Sequence, residues 1–207
     1  MTEYRGLTVE DTREAATDEA ISQLEARLGA HLPKDYRWFL KHCNGAYLDY
    51  DVIATLASGE REPLSFSLFG LDLEDTCESN PFELEQLQSL PDFPAPGLLP
   101  IGRDGGASLL LLDLREGRQE VAAVVAGLPA WTGRHQQGDE YVILAESFDA
   151  YLDLLHLSHE RILDHIDRFM INTQTIEATL QWLDKDSPGW REKYREVWNR
   201  RGAQSPI

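Results

Sequence analysis

The chain has 207 residues, 42% of them hydrophobic and 27% charged, with a formal net charge of −17 at neutral pH. This balance describes a globular chain long enough to bury a core without covalent staples. Its acidity argues against nucleic acid or anionic lipid as a ligand, because both demand basic contacts. No apolar run nears the roughly 18 residues of a bilayer span, and the opening MTEYRGLTVEDTRE lacks the basic and apolar regions of a secretion signal. The expected location is the cytoplasm, away from membranes. With only Cys43 and Cys77 available, reduced thiols are expected there.

In chain order, residues 17–29 predict a helix: Thr17 can cap it, Asp18 and Glu19 suit its first turn, Ile21, Leu24 and Leu28 share a face, and Gly29 can end it. Pro33 suits the first turn of a second helix, in which Tyr36, Phe39, Leu40 and Cys43 fall at i, i+3, i+4 and i+7. Asn44 and Gly45 both tolerate the left-handed conformation in which many helices end. Residues 51–56 and 64–69 then read as strands, the second broken by Gly70. A short acidic helix is expected within 80–90, followed by a stiff proline-rich connection at 90–100.

From Leu98 the pattern is strand, glycine turn at 102–106, and a nearly continuous apolar strand to Leu114, expected at the centre of a sheet. Residues 121–126 and 140–145 supply two further strands. Ser147 should cap a helix carrying Phe148, Tyr151, Leu152 and Leu155. This order of elements predicts an α+β domain over residues 1–155, with a mostly antiparallel sheet, an N-terminal helix pair and a C-terminal helix.

Residues 156–207 change character. They hold eight acidic and eight basic side chains, whereas residues 1–155 hold 28 and 11. A helical stripe runs through Ile162, Ile166, Phe169, Thr173, Ile176, Leu180 and Leu183, with a break expected at Asn172. Ser187-Pro188 should start another helix, with Trp190, Tyr194 and Val197 on one face. The expectation is a helical C-terminal extension packed on or beside the domain, its stripe covering that domain's core.

Candidate chemistry is sparse. The triplet His42-Cys43-Asn44 spells residue types used by thiol hydrolases, but neighbours on a helix point about 100° apart and cannot converge. Cys43 also lies on the apolar stripe, where burial makes a thiol inert. His156, His159 and His165 lack the spacing of a metal site on one helix. Gly102-Arg-Asp-Gly-Gly106 lacks the Gly-Lys-Ser/Thr of a phosphate loop and reads as hairpin chemistry. No catalytic residue, cofactor or metal site is therefore expected. Between Glu62 and Gly102 there are eight acidic residues and no Lys or Arg. Within that run, Asp72, Glu74, Asp75, Glu78, Glu83 and Glu85 are the candidate docking surface for a cationic protein, because a one-signed patch speeds encounter with its opposite.

Several stretches together carry a family resemblance. They are Leu24-Glu25, Leu28-Gly29, Leu32-Pro33-x-Asp35-Tyr36-x-x-Phe39-Leu40 running to Asn44-Gly45, Leu99-Pro100-Ile101-Gly102, Asp104-Gly105-Gly106 and Ser147-Phe148. In this order they resemble the SUKH superfamily, which includes fungal cell-wall-synthesis regulators and bacterial toxin-immunity proteins. Ala46 stands where a further glycine is frequent, and residues 156–207 extend past the usual domain. The resemblance implies a non-catalytic module that binds proteins, typically neutralising a toxin and often a nuclease. The acidic balance fits a cognate toxin with a basic surface. The alternative is a cytosolic scaffold or regulatory module of the same fold, acting through its tail helices.

Overall fold

The computed structural model describes residues 2–71, 97–127, 138–168 and 173–202. The acidic helix expected at 80–90, most of the proline-rich connection, Cys77 and Phe169 lie outside these residues. The chain divides into two compact units, Met1–Leu155 and His156–Ile207.

The first unit opens with a hairpin that sequence patterning did not suggest, β1 (Thr2–Tyr4) against β2 (Leu7–Val9). Arg5 and Gly6 both take positive φ in the turn, 52° and 83°, matching the twist of a tight antiparallel pair. Helix α1 (Asp18–Leu28) begins where Thr17 Oγ1 accepts from Ala20 N at 3.1 Å and ends at Gly29 with φ 64°. Helix α2 (Lys34–His42) follows Pro33 and turns Tyr36, Phe39 and Leu40 into the core.

Strands β3 (Val52–Thr55) and β4 (Arg61–Leu64) form a second antiparallel hairpin. The stretch 64–69, expected as one strand, is divided between two sheets. Leu64 ends β4, while β5 (Ser67–Leu68) is the edge of a five-stranded sheet that continues through β6 (Leu98–Arg103), β7 (Leu109–Asp113), β8 (Glu120–Val125) and β9 (Glu140–Ala145). Every pairing in that sheet is antiparallel. The β6–β7 register shifts between Pro100 and Gly102; a bulge is where a strand tolerates a residue without an N–H. Leu110, Leu111 and Leu112 in the middle strand are all fully buried. Successive strand residues face opposite sides, so the centre of the sheet is covered on both.

Helix α3 (Phe148–Leu154) starts at Ser147, whose Oγ accepts from Ala150 N at 3.1 Å. It packs on α2, β8 and β9. Between α2 and α3 the rings of Tyr36 and Phe39 lie 5.0 and 5.1 Å from that of Phe148, distances at which aromatic pairs attract beyond simple burial. Asp35 Oδ2 accepts from Asp149 N at 3.0 Å, so a carboxylate on α2 serves the first turn of α3. Arg5 reaches the same helix, 3.0 Å from both Asp149 and Asp153. The domain is α+β with a mostly antiparallel sheet.

The second unit contains α4 (His159–Arg168), α5 (Thr173–Asp186), α6 (Trp190–Lys193) and α7 (Arg195–Gly202). Ile162, Ile166, Trp182, Leu183, Trp190 and Tyr194 are buried in one cluster of their own. Ile162, Ile166 and Leu183 of the stripe seen in sequence thus belong to a core that the tail helices share. The helix expected at Ser187 begins later, after Gly189 at φ 84°. Asp184 fastens this junction, accepting from Trp190 Nε1 at 2.8 Å and from Arg191 Nη2 at 2.6 Å. Among the described residues no helix is long and apolar enough to cross a membrane.

Candidate partner-binding surface

The six acidic candidates, Asp72, Glu74, Asp75, Glu78, Glu83 and Glu85, all lie outside the described residues. The other candidate positions lie within the described residues. Cys43 is buried, and desolvation raises its thiol pKa; the reactive thiolate is disfavoured there. His42 is exposed, with Nδ1 2.7 Å from Trp38 O. Asn44 is buried and points elsewhere: its Nδ2 donates to Glu14 O at 2.7 Å and Leu71 O at 3.2 Å, while Oδ1 accepts from Leu71 N at 2.6 Å. The three neighbouring side chains therefore diverge, and no nucleophile and base meet.

What Asn44 does instead is lock two chain crossings together. Its φ is 44° and that of Gly45 is 96°, so the chain leaves α2 through two left-handed residues. A Cβ on Gly45 would lie 2.8 Å from Gly70 N, and one on Gly70 would lie 2.2 Å from Asn44 O. Both distances are prohibitive, so this pair of backbones can approach only as glycines. Gly70, which in sequence merely breaks a strand, is the other half of the helix ending.

A second polar cluster closes the β7–β8 turn. The Asp113 carboxylate is fully buried and accepts from Arg115 N, Nε and Nη2 at 3.0, 2.9 and 2.7 Å, and from Tyr141 OH at 3.0 Å. The Arg115 hydrogen bonds, joined by that from Tyr141, hold its pKa down at about 2. Arg115 also lies 5.5 Å from the centre of the Tyr141 ring. Its acceptor positions are taken by Arg115 in the turn and by Tyr141 on β9, which makes this a structural knot.

His159 and His165 are packing groups. His159 Nδ1 is 3.0 Å from Tyr194 OH, and the His165 ring centre is 4.2 Å from that of Trp182. Among the described residues no three His, Cys, Asp or Glu side chains are grouped to hold a metal ion.

The outward face of α2 is different. Lys34, Arg37, Trp38 and Lys41, at i, i+3, i+4 and i+7, line an open groove of about 180 Å³. Helical geometry puts such positions on one stripe, opposite the buried Tyr36, Phe39 and Leu40. Trp38 is 59% exposed and its ring lies 4.2 Å from that of His42. From α1, Glu25 pairs with Arg37 at 3.0 Å and Asp18 pairs with Lys41. Leu32 N and Arg37 both donate to Glu25 Oε1, and although burial pushes the other way, these contacts and His31 leave the carboxyl pKa below its ordinary value. This face escaped the sequence reading, because polar positions on an amphipathic helix pass for solvated surface. The available signal was three basic residues about one tryptophan in a chain otherwise rich in acid.

A sequence model of the SMI1 / KNR4 family (SUKH-1) matches residues 15–154. The chain belongs to this family. No curated protein sequence matches the chain significantly. The SUKH-1 span begins just ahead of α1 and ends at the last residue of α3, so it takes in the Asn44–Gly70 lock, the Asp113 knot and the α2 groove. At the level of the family, SUKH-1 membership supports a toxin-immunity or SMI1/KNR4-type role, and members of the family are generally immunity or regulatory proteins.

Proposed function

We propose that this SUKH-1 protein is a cytoplasmic immunity protein that binds a cognate bacterial toxin, a cationic nuclease in our reading, and occludes its active-site region. The observation that carries the proposal is the confinement of the charge. All 17 net negatives fall within residues 1–155, which contain the SUKH-1 span, while the tail is neutral. A nuclease must present basic surface to hold phosphates, so an acidic partner is steered to that surface and competes with the substrate there. Asp72, Glu74, Asp75, Glu78, Glu83 and Glu85 form the docking segment in this reading.

The test pairs the purified chain with the inactivated product of the neighbouring toxin gene. Tight one-to-one binding is expected, with association slowed at least about tenfold between roughly 0.05 and 0.5 M salt while dissociation changes little. Reversing Asp72, Glu74 and Asp75 to Lys should slow association further and abolish protection of co-expressing cells. A neighbouring product that is harmless, acidic or not bound would overturn the proposal. Removal of residues 156–207 separates it from a scaffold acting through the tail, which alone would lose its partner.

A further inference from the structure

We infer that the outward face of α2 is a separate docking surface for an acidic peptide segment that carries an apolar or aromatic side chain. A lone exposed tryptophan means little, but Trp38 is not alone. It sits in a groove with Lys34, Arg37 and Lys41, on a helix with three Lys or Arg residues and one acid. The surrounding residues 1–155 have the opposite bias, 28 acids to 11 bases. Even the one acid of α2 is turned away, Asp35 accepting from Tyr36 N and from Asp149 N.

The groove is built before any partner arrives. The buried face of α2 fixes its backbone in the core, His42 supports the Trp38 ring, and Glu25 holds Arg37. Among the described residues Lys34 has no carboxylate partner and Lys41 pairs with Asp18, which is largely exposed. An exposed pair of that kind contributes little, so Lys41 can exchange Asp18 for a carboxylate of a partner. The preorganised parts reduce the ordering cost of binding.

Size and charge select the occupant. A groove of about 180 Å³ is smaller than the roughly 300–1,000 Å³ of small-molecule pockets and suits one large side chain. Cations on either side of that position favour acids before and after it in the incoming segment. A long polyanion such as nucleic acid would meet the acidic remainder of the domain, whereas a short acidic peptide touches only this face. The cationic toxin surface proposed above would be repelled here, so this docking surface stands independently of that reading.

The test uses the full chain and an array of short synthetic peptides, acidic with a single central Phe, Trp or Leu. Matched arrays replace the acids by Lys or by Gln, or the central residue by Gly, and an oligothymidylate serves as the polyanion control. Acidic peptides with the apolar centre should bind in the micromolar range and shift the backbone amide resonances of α2. Trp38→Ala should weaken them at least about tenfold, and Lys34→Glu independently so. Neither variant should change toxin binding. The inference is overturned if no acidic peptide binds at millimolar concentration, if Lys or Gln peptides bind equally, or if both variants bind like the parent. Equal binding of oligothymidylate, or self-association that Trp38→Ala abolishes, would also overturn it.

Discussion

Asn44 shows how much one side chain can hold at a crossing of backbones. Each of its three hydrogen bonds ends on a main-chain group, two of them on Leu71. Asn44→Ala would leave the buried N–H and carbonyl of Leu71 and the partly buried carbonyl of Glu14 without this partner, at a cost of about 2–4 kcal/mol. Gly70→Ala should cost at least about 2 kcal/mol, since its new methyl would lie 2.2 Å from Asn44 O, a backbone atom that cannot turn aside. Gly105→Ala, which meets nothing within 4 Å, serves as the control and should change stability by less than about 0.5 kcal/mol. Urea midpoints of the three variants provide the check; equal midpoints would mean that the crossing carries no stability. The residue types of HCNG thus have a use, and it is architectural: an amide that fits where two main chains meet.

At the scale of elements, the Asp113 knot governs how the β7–β8 turn responds to acid. Its folded pKa is lowered to about 2 from an ordinary 3.8, so its contribution is complete above roughly pH 4 and is lost as pH falls from there toward 2. The difference corresponds to about 2 kcal/mol for this fully buried carboxylate. Asp113→Asn should lower stability at neutral pH by about that amount and flatten the stability curve between pH 4 and 2. Urea melts across that range decide it, and an unchanged acid slope would place the effect on other groups. Elements with strong local signals were legible from sequence: caps and periodicity located α1, α2 and α3, and unbroken apolarity marked β7. The stretch 64–69 was misread for a physical reason. Leu64, Phe66 and Leu68 are all buried, so the alternation continues across a change of hydrogen-bonding partner, and alternation reports faces rather than pairing. The β1–β2 hairpin escaped because its three-residue strands are too short to show a period. The α2 groove escaped because a functional polar face and a merely wet one share the same pattern.

For the whole molecule, the contrast lies between two cores of different make. The first is a sheet between covered faces, the second an aromatic cluster in which Trp190 meets Trp198 edge to face at 5.1 Å and Ile166 is fully buried. Ile166→Ala removes buried volume from the second alone and should cost about 2–5 kcal/mol there. Hydrogen exchange read by peptide should show faster exchange across α4 to α7, with β6 to β9 unchanged. Loss of protection spreading into the sheet would show that the two units unfold together. The tail stripe was visible in sequence as apolar spacing. What it packs against depended on Trp182, Trp190 and Tyr194 folding back on Ile162 and Ile166, a relation between helices that spacing along the chain does not encode.

Arg5 and Asp153 stand 148 positions apart in the chain and 3.0 Å apart in space. The two ends of the first compact unit therefore lie side by side, clasped by an ion pair, as in a ring closed by a catch. A folded ring of that kind is portable: it can be spliced into a longer polypeptide through two neighbouring strands of linker, or reopened at another loop, without parting its sheet.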